Sequence, residues 1–324
     1  MIITPQELQE WIDKGKPFSI IDIRSKELQS EFPLKGLNPV AISVDALQDL
    51  KGISVLICQF GIITEEMIIE KDLENAFSLL GGAQSWCAFQ SEQNDLSRWA
   101  RQTVLPEIGI EGQKKLIEAT VAVVGMGGLG CPAAQSLAMA GVGKIKIIDG
   151  DKVELSNLQR QPLFGVDDVG RLKVEIARGN LKKYNSETDI EIFGEYLNGN
   201  NGLNCMRDFD VVIDATDNIQ TRQLIDSLSK RLGIPMIYGG LYRYEGQVAI
   251  LNKDGSPGYS ELFPEPPSGG ETCADAGVLG MLPGIIGNIQ ALEAVKLIVG
   301  LEPNLIGKLL IYDGMSHSTQ TIQL

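Results

Sequence analysis

Histidine is almost missing from this chain. His317 is the only one in 324 residues, which removes Ser–His–Asp hydrolysis and multi-histidine metal centres as general explanations of the sequence. Basic charge is also short: 28 Lys and Arg stand against 42 Asp and Glu, a formal net charge of −14. That balance disfavours nucleic-acid backbones and anionic membrane surfaces as partners. No run of about 18 apolar residues occurs, so no membrane-spanning helix is expected. The N-terminal stretch "MIITPQELQEWIDKGK" has no basic segment leading into an apolar core, so no secretory signal is expected. The five cysteines, Cys58, Cys87, Cys131, Cys205 and Cys273, are odd in number, scattered, and form no CxxC pair. A disulfide framework and a cysteine-built zinc site are therefore disfavoured, and a cytoplasmic setting is expected.

What is present reads as two α/β units. Hydrophobic residues make up 44% and charged residues 22%, which is ordinary for a globular chain, and the length suits about two domains. In "TPQELQEWI", Thr4 caps a helix, Pro5 opens it and Glu7 completes a capping box. "FSIIDIR" and "ISVLICQ" have the short β-branched character of buried parallel strands. "TEEMIIEKDL" predicts a helix begun by Thr64, and "SLLGGAQSW" closes the first unit near residue 90. The polar, aperiodic stretch from Gln90 to Ser97 predicts a linker, which sets domains over 1–90 and 98–324 joined by 91–97. In the second domain, strands such as "TVAVVG", "KIKIID", "DVVIDATDN", "YEGQVAIL" and "GKLLIYD" alternate with helical stretches. This pattern predicts an α/β fold with a Rossmann-like, doubly wound, mostly parallel sheet. "NKDGSPGYSELFPEPPSGGE" predicts a Gly/Pro-rich loop of a length that usually accompanies function or mobility.

Gly125, Gly127 and Gly130 spell G-x-G-x-x-G, with Gly128 inside the motif, directly after a strand and opening a helix. Glycines there let backbone N–H groups approach a phosphate at a helix N-terminus. Asp149 ends the next strand and suits ribose hydroxyls. The motif does not separate NAD from ATP, and a ligand-free tight turn is the plain alternative. The stretch "IDGDKVELSNLQRQ" is denser in hydrogen-bonding groups than a ribose requires, adding Asp151, Asn157, Arg160 and Gln161. Lys173 follows at a helix start, and Asp214, Asp217 and Asn218 lie at the polar end of "DVVIDATDN". Two cations to neutralise a triphosphate and an acid for Mg²⁺ are what nucleotidyl transfer needs. An NAD-dependent oxidoreductase explains the glycine turn alone and leaves Arg160, Lys173 and Asp217 unused. A non-catalytic docking module is the third reading.

"RWARQTVLPEIG", "GMGGLGCPAAQSLAMAGVGKIKIIDGDKVELSNLQRQ", "GRLKVE", "DATDN", "YEGQVAI" and "TCADAGVLGMLPGIIGNIQALEAVKLI" occur in the order seen in the MoeB/ThiF family. The chain from about Ser97 to Leu324 resembles these adenylyltransferases of molybdopterin and thiamine biosynthesis, relatives of ubiquitin-activating enzymes. The resemblance implies that ATP and Mg²⁺ activate the C-terminal Gly-Gly of a ubiquitin-like sulfur-carrier protein as an acyl-adenylate. It implies that the Gly125–Gly130 turn holds ATP and that Asp149 binds the ribose. Asn157, Arg160 and Lys173 would grip the triphosphate, and Asp217 would organise Mg²⁺. It further implies a homodimer in which Arg101 reaches the neighbour's site. Cys273, in "ETCADAGVLG", matches a cysteine that takes part in adenylate attack, persulfide or thioester steps; a small buried cysteine is the alternative. Many family members hold zinc with two CxxC pairs. One would fall at "PGYSEL", where this chain has Gly258 and Glu261, and the other near "HSTQTIQL", so no zinc is expected.

"IIDIRSKELQSEF", "VLICQFGIITEE" and "LLGGAQSW" resemble, in order, the signatures of a rhodanese-like domain covering about residues 1 to 90. Asp22 and Arg24 match its first signature. Cys58 takes the place of the persulfide-carrying cysteine, but Ile63 stands where an arginine usually closes the loop, and the "GHI" after the first signature is missing. Either a weakened sulfurtransferase, fed by a donor such as a cysteine desulfurase, or a scaffold for the carrier follows.

Overall fold

The computed structural model describes residues 1–40, 47, 52–93, 96–264 and 277–324. They divide into two units, Met1–Ser97 and Arg98–Leu324.

The first unit contains β1 (Ile2–Ile3), α1 (Pro5–Asp13), β2 (Ser19–Asp22), α2 (Lys26–Glu31), β3 (Ser54–Ile57), α3 (Ile62–Glu70), β4 (Ala76–Leu79) and α4 (Gly82–Gln93). Its four strands pair in parallel in the order β1-β4-β3-β2. Burial on both faces explains the apolar run Val55–Ile57 of β3, every residue of which is buried. The capping box of α1 forms: Thr4 Oγ1 accepts from the Glu7 N–H at 3.2 Å, and the Glu7 carboxylate accepts from the Thr4 N–H at 2.9 Å. Thr64 does not begin α3. The helix starts at Ile62 after Gly61, where φ is +85° and a Cβ would lie 2.7 Å from the Leu79 carbonyl oxygen, so a side chain is excluded. Thr64 is instead buried, 2.7 Å from the Ser78 hydroxyl and donating to the Gly61 carbonyl at 3.0 Å. Helix α4 continues to Gln93, into the polar stretch read as a linker; residues 94 and 95 lie outside the described residues.

The second unit contains α5 (Ala100–Thr103), α6 (Gly109–Glu118), β5 (Thr120–Val124), α7 (Gly130–Ala140), β6 (Lys144–Ile148), α8 (Lys173–Tyr184), β7 (Asp189–Phe193) and α9 (Gly202–Met206). It continues with β8 (Val211–Asp214), α10 (Ile219–Leu232), β9 (Met236–Tyr242), β10 (Glu245–Leu251), α11 (Tyr259–Leu262), α12 (Met281–Val299), β11 (Lys308–Asp313) and β12 (Ser318–Gln323). The sheet order is β12-β11-β10-β9-β8-β5-β6-β7. Strands β7, β6, β5, β8 and β9 are parallel, and β10 to β12 extend the sheet antiparallel. The twofold alternation of β5 sorts its residues to opposite faces. Val121 and Val123 join the cluster under α6, α7, α8 and α12, whereas Ala122 and Val124 join the cluster with α9, α10 and α11. That is the double winding the sequence predicts.

Helix α12 is long and apolar enough by length and composition to cross a membrane, with mean hydropathy 1.4. It packs instead on α7, β9 and β10 and buries Gln290 and Glu293. Gln290 Nε2 donates to the Asp214 carbonyl at 2.7 Å and the Ile237 carbonyl at 3.1 Å, so its amide nitrogen ties two strands together while its buried Oε1 has no partner among the described residues.

The stretch after β10 is less loop-like than its composition implies. Asp226 of α10, 6% exposed, accepts from the Tyr259 N–H at 2.8 Å, the Ser260 N–H at 3.0 Å and Asn252 Nδ2 at 2.9 Å. A Cβ on Gly258 would lie 2.6 Å from the Asp226 carboxylate, so glycine there admits the contact. Residues 265–276, Cys273 among them, lie outside the described residues.

Candidate active site

A cleft of about 990 Å³ opens where β5, β6 and β8 end, the edge at which open α/β sheets take ligands. Its floor is the glycine turn, and the four glycines do different things. Gly125 has φ +94°, and a Cβ there would lie 2.6 Å from the Ala215 carbonyl. A Cβ on Gly130 would fall 1.8 Å from the Gly125 carbonyl, and one on Gly128 would lie 2.9 Å from Pro283. These three permit tight packing of turn, helix and neighbours. Gly127 differs: its nearest atom would be Gln161 Nε2, 3.8 Å away. Its empty side faces the cleft that it lines. No side chain caps α7, which leaves helix-terminal N–H groups for an anion.

Asp149, at the end of β6, braces the turn. Its carboxylate accepts from the Met126 N–H at 2.6 Å and the Asp151 N–H at 2.7 Å. Burial pushes the Asp149 carboxyl up from its ordinary value, against the pull of Lys173 and of these two N–H groups. Asp151 holds Lys173: the ammonium lies 2.9 Å from its carboxylate, and the Tyr196 hydroxyl donates to the other oxygen. Burial also works upward on Asp151, but the Tyr196 and Lys173 hydrogen bonds and the Lys173 charge outweigh it and hold its carboxyl below the ordinary value. Lys173, first residue of α8, is 5% exposed and thus fixed in direction.

Arg160 Nη1 donates to the Ser156 carbonyl at 2.9 Å. Asn157 turns inward, its Oδ1 accepting from the Glu154 N–H at 3.2 Å. Gln161 is 2% exposed, and its Oε1 has no hydrogen-bond partner, a buried acceptor lining the cleft. Asp217 is exposed, lines the cleft, and makes no hydrogen bond or ion pair among the described residues. Its neighbour Asn218 spends its side-chain oxygen as the cap of α10, accepting from the Thr221 N–H at 2.8 Å.

So the cleft gathers Gly125, Gly127, Gly128, Asp149, Asp151, Asn157, Arg160, Gln161, Lys173, Asp217 and Asn218. Gly130 packs beneath it. Arg101, on α5, is exposed and does not line the cleft of its own chain among the described residues. Sequence reasoning missed Tyr196, Thr216, Arg222 and Arg243, all of which line it. Tyr196 lies just beyond β7, and Arg222 reads in sequence as a charge on the solvent face of a helix. It is in fact 9% exposed and 3.6 Å from the fully buried Asp214. That separation makes an ion pair without a hydrogen bond, since Arg222 Nε and Asp214 Oδ2 each lack one. Burial pushes Asp214 up, against Arg222 and the two Thr216 hydrogen bonds.

Cys58 sits in the first unit. Its Sγ accepts from the Gly61 N–H at 3.0 Å and lies 3.5 Å from Thr64 Oγ1. Burial raises the thiol pKa, but hydrogen bonds from Thr64, Phe60 and Gly61 bring it below the ordinary value. Around it, Phe60 and the first two residues of α3, Ile62 and Ile63, are exposed. Cys131 is the opposite case, enclosed under the glycine turn, with burial pushing it up to about 12. Cys58, Cys87, Cys131 and Cys205 are free thiols.

Such a cleft can neutralise an extended polyanion along Arg160 and Lys173, brace a sugar at Asp149 and offer a hard oxygen ligand at Asp217. The chain is 43% identical over 244 residues to the adenylyltransferase and sulfurtransferase MOCS3 of Culex quinquefasciatus, a match covering 74% of this chain and 56% of that one. It is 41% identical over 233 residues to the sulfur carrier protein adenylyltransferase of Thermus thermophilus, covering 70% of this chain and 86% of that one. The chain thus spans about half the length of its MOCS3 relatives. Among solved structures, PaaA aligns with TM-score 0.60 and 29% identity over 81% of each chain. Escherichia coli MccB with ATP aligns with TM-score 0.62 over 74% of this chain and 78% of that one; at 21% identity it shows likeness of fold alone. A family model described as the ThiF family matches residues 99–324. That span holds every residue that lines the cleft, and the chain belongs to the ThiF family.

Proposed function

We propose that the second unit adenylates the C-terminal glycine of a ubiquitin-like sulfur-carrier protein with ATP. The observation that carries the reading is the meeting of Gly127, Asp149, Arg160, Lys173 and Asp217 in one cleft. The 41% identity to the sulfur carrier protein adenylyltransferase of Thermus thermophilus supports it. A carboxylate oxygen of the carrier attacks the α-phosphorus of ATP. The bond from that phosphorus to the bridging oxygen of the β-phosphate breaks, and pyrophosphate leaves with the electron pair. The attacking carboxylate is ionised at pH 7, so no general base is needed. Catalysis is positioning and charge neutralisation. Arg160 and Lys173 face the leaving pyrophosphate, Asp149 holds the ribose, and the glycine turn excludes side chains from the phosphate path.

Asp217 fits Mg²⁺: its carboxylate is exposed in the cleft and unpartnered among the described residues, and Mg²⁺ takes one or two carboxylates plus substrate phosphates. Bound there, the ion would neutralise charge on the phosphate oxygens.

A homodimer completes the reading. Arg101 is exposed on α5, near exposed Val104, Leu105 and Ile110, and α12 exposes Met281 and Leu292. Such apolar faces favour association, and Arg101 of one protomer would enter the cleft of the other. In the first unit, donors around Cys58 favour a thiolate able to carry sulfur from a desulfurase to the activated carboxylate. Cys273 is a second candidate thiol. The free thiols support a reducing, cytoplasmic compartment.

The test is ATP–pyrophosphate exchange with carriers ending in Gly-Gly. Carrier-dependent exchange is expected. ATP binding without exchange for any carrier, or reduced-nicotinamide turnover instead, sinks the proposal.

A further inference from the structure

The loop from Ala215 to Asn218 carries Asp217, and the sheet holds its first residue alone, the Ala215 N–H donating to the Val124 carbonyl at 2.9 Å. Pairing of β8 with β9 ends at Asp214 opposite Tyr238. Beyond Ala215 the loop is fixed by side chains. Thr216 donates from its N–H at 3.0 Å and its hydroxyl at 2.6 Å to Asp214 Oδ1. On the other side, Arg222 Nη2 donates at 2.7 Å to the Thr216 carbonyl and at 3.1 Å to the Gly239 carbonyl. One guanidinium thus joins the loop to β9 just past the last ladder pair. The group sits 5.1 Å from the centroid of Tyr238 and faces Asp214 at 3.6 Å. Gln290 of α12 fixes the Asp214 carbonyl from below.

We infer that Arg222 and Asp214 form a positioning pair that sets the place of the Asp217 carboxylate at the cleft mouth. Neither is a catalytic residue, and both act through Thr216. The pairing also accounts for a charged pair in a buried position, where an ion pair is not a dependable source of stability. The planar fork of arginine reaches two carbonyls and a carboxylate at once, which a lysine ammonium does not reproduce. For the reaction this inference rests on the adenylation reading, but its structural arm does not.

The experiment compares Arg222→Lys, Arg222→Met and the double variant Asp214→Asn/Arg222→Met in the full chain. Amide hydrogen exchange of residues 215–218 is followed together with that of β5. Carrier-dependent ATP–pyrophosphate exchange is resolved into kcat and KM. Arg222→Lys keeps a cation opposite Asp214 and should fold with near wild-type β5 protection. Its loop amides should exchange about 10-fold faster, in keeping with local rather than global opening. Its kcat should fall about 10- to 100-fold, with KM for ATP changed less, because a displaced group of about 1 Å costs that much in rate. Arg222→Met leaves Asp214 as an unpaired buried acid and should lose stability. The double variant should recover stability but not kcat, which a purely structural role would not produce. Wild-type loop protection in Arg222→Lys overturns the inference, as does wild-type kcat with a loosened loop. Should the wild-type chain exchange no pyrophosphate with any carrier, the adenylation reading fails. Loop amide exchange then still decides whether Arg222 fixes this segment.

Discussion

Gly127 and Gly130 belong to one motif but are held to glycine by different things, and alanine at each position separates them. At Gly130 a methyl group would overlap the Gly125 carbonyl oxygen at 1.8 Å, with main chain on both sides of the contact. Relief requires pulling α7 away from the turn, and overpacking of this kind costs typically 1–3 kcal/mol, with rigid backbone contacts at the upper end or beyond. At about 3 kcal/mol, and roughly 2–4 °C per kcal/mol for a unit of this size, Gly130→Ala should melt about 6–12 °C below wild type. At Gly127 the methyl meets nothing closer than 3.8 Å, and φ is not in the left-handed region. Gly127→Ala should therefore fold as well as wild type or gain about 0.4–1 kcal/mol through a less flexible unfolded chain. Its cost should fall on the ligand, because the methyl occupies the side from which a phosphate reaches the backbone N–H groups.

The assay is thermal unfolding with and without MgATP. A ligand at 100 times its Kd stabilises the folded state by about 2.7 kcal/mol. Wild type should then rise about 5–11 °C on saturation by the same conversion, and Gly127→Ala should rise far less from an undisturbed baseline. Gly130→Ala should show the reverse pattern, a lowered baseline. If Gly127→Ala responds to MgATP like wild type, the turn is not the phosphate site. If Gly130→Ala melts with wild type, the close approach read from the backbone is wrong.

Other consequences are as direct. Mixing Arg101→Ala with Asp217→Ala subunits should restore about one working site per heterodimer in pyrophosphate exchange; no recovery with heterodimers confirmed would place Arg101 outside its neighbour's cleft. Asp226→Asn keeps one acceptor oxygen and puts a donor opposite one of the Tyr259 and Ser260 N–H groups, which bond to different carboxylate oxygens, so one of those amides should lose protection and the unit about 1–3 kcal/mol by denaturant titration; unchanged protection would show that the aromatic packing of Tyr259 alone holds the segment. Asp151 has a carboxyl pKa lowered by folding, so between the folded and unfolded values the unfolded chain binds more protons. Its stabilising effect is present above about pH 4 and lost on acidification below it. The Asp151→Asn variant should show a shallower acid limb, and an identical limb would remove the Lys173 pair from the account. Cys58→Ala should leave pyrophosphate exchange intact while abolishing any persulfide trapped on the first unit by a thiol-reactive probe.

What was legible in the sequence was local. The Thr4–Glu7 capping box spans three residues and competes with nothing, so it formed as read. The glycine turn, Asp149 and Lys173 were legible because each sits at a fixed offset from an apolar strand. β9 was not, because Gly239 and Gly240 interrupt its pattern, one giving way to Gln290 and the other to the Tyr238 ring. β12, "STQTIQ", has every residue exposed and no apolar face to announce it. Thr64 looked like a cap because a threonine before acidic residues normally is one. The fold starts the helix two residues earlier and spends the hydroxyl on Ser78 and Gly61 instead. Arg222 and Asp226 were hidden for a related reason. They lie one turn apart on α10, where charges at helical spacing read as a solvated face, and their partners are up to 34 residues away in the chain.

Those hidden contacts bear on a paradox in the composition. A chain of net charge −14 is proposed to take up a polyanion, and it does so with cations that are already spoken for. Lys173 is held by Asp151, while among the described residues Arg160 is restrained through the Ser156 carbonyl alone. The acids do not cancel the cations so much as fix their directions, and a fixed charge in a partly desolvated cleft is worth more to a developing negative charge than a mobile one in water. On this argument Arg160 is the cation free to move onto the arriving phosphates, and Lys173 the one that waits in place. Neutralising Arg160 should then weaken nucleotide binding more than it slows the bound reaction, and neutralising Lys173 should do the opposite. Equal effects of the two substitutions on KM and kcat, measured by pyrophosphate exchange, would show that the ion pairs in the cleft do not divide the work in this way.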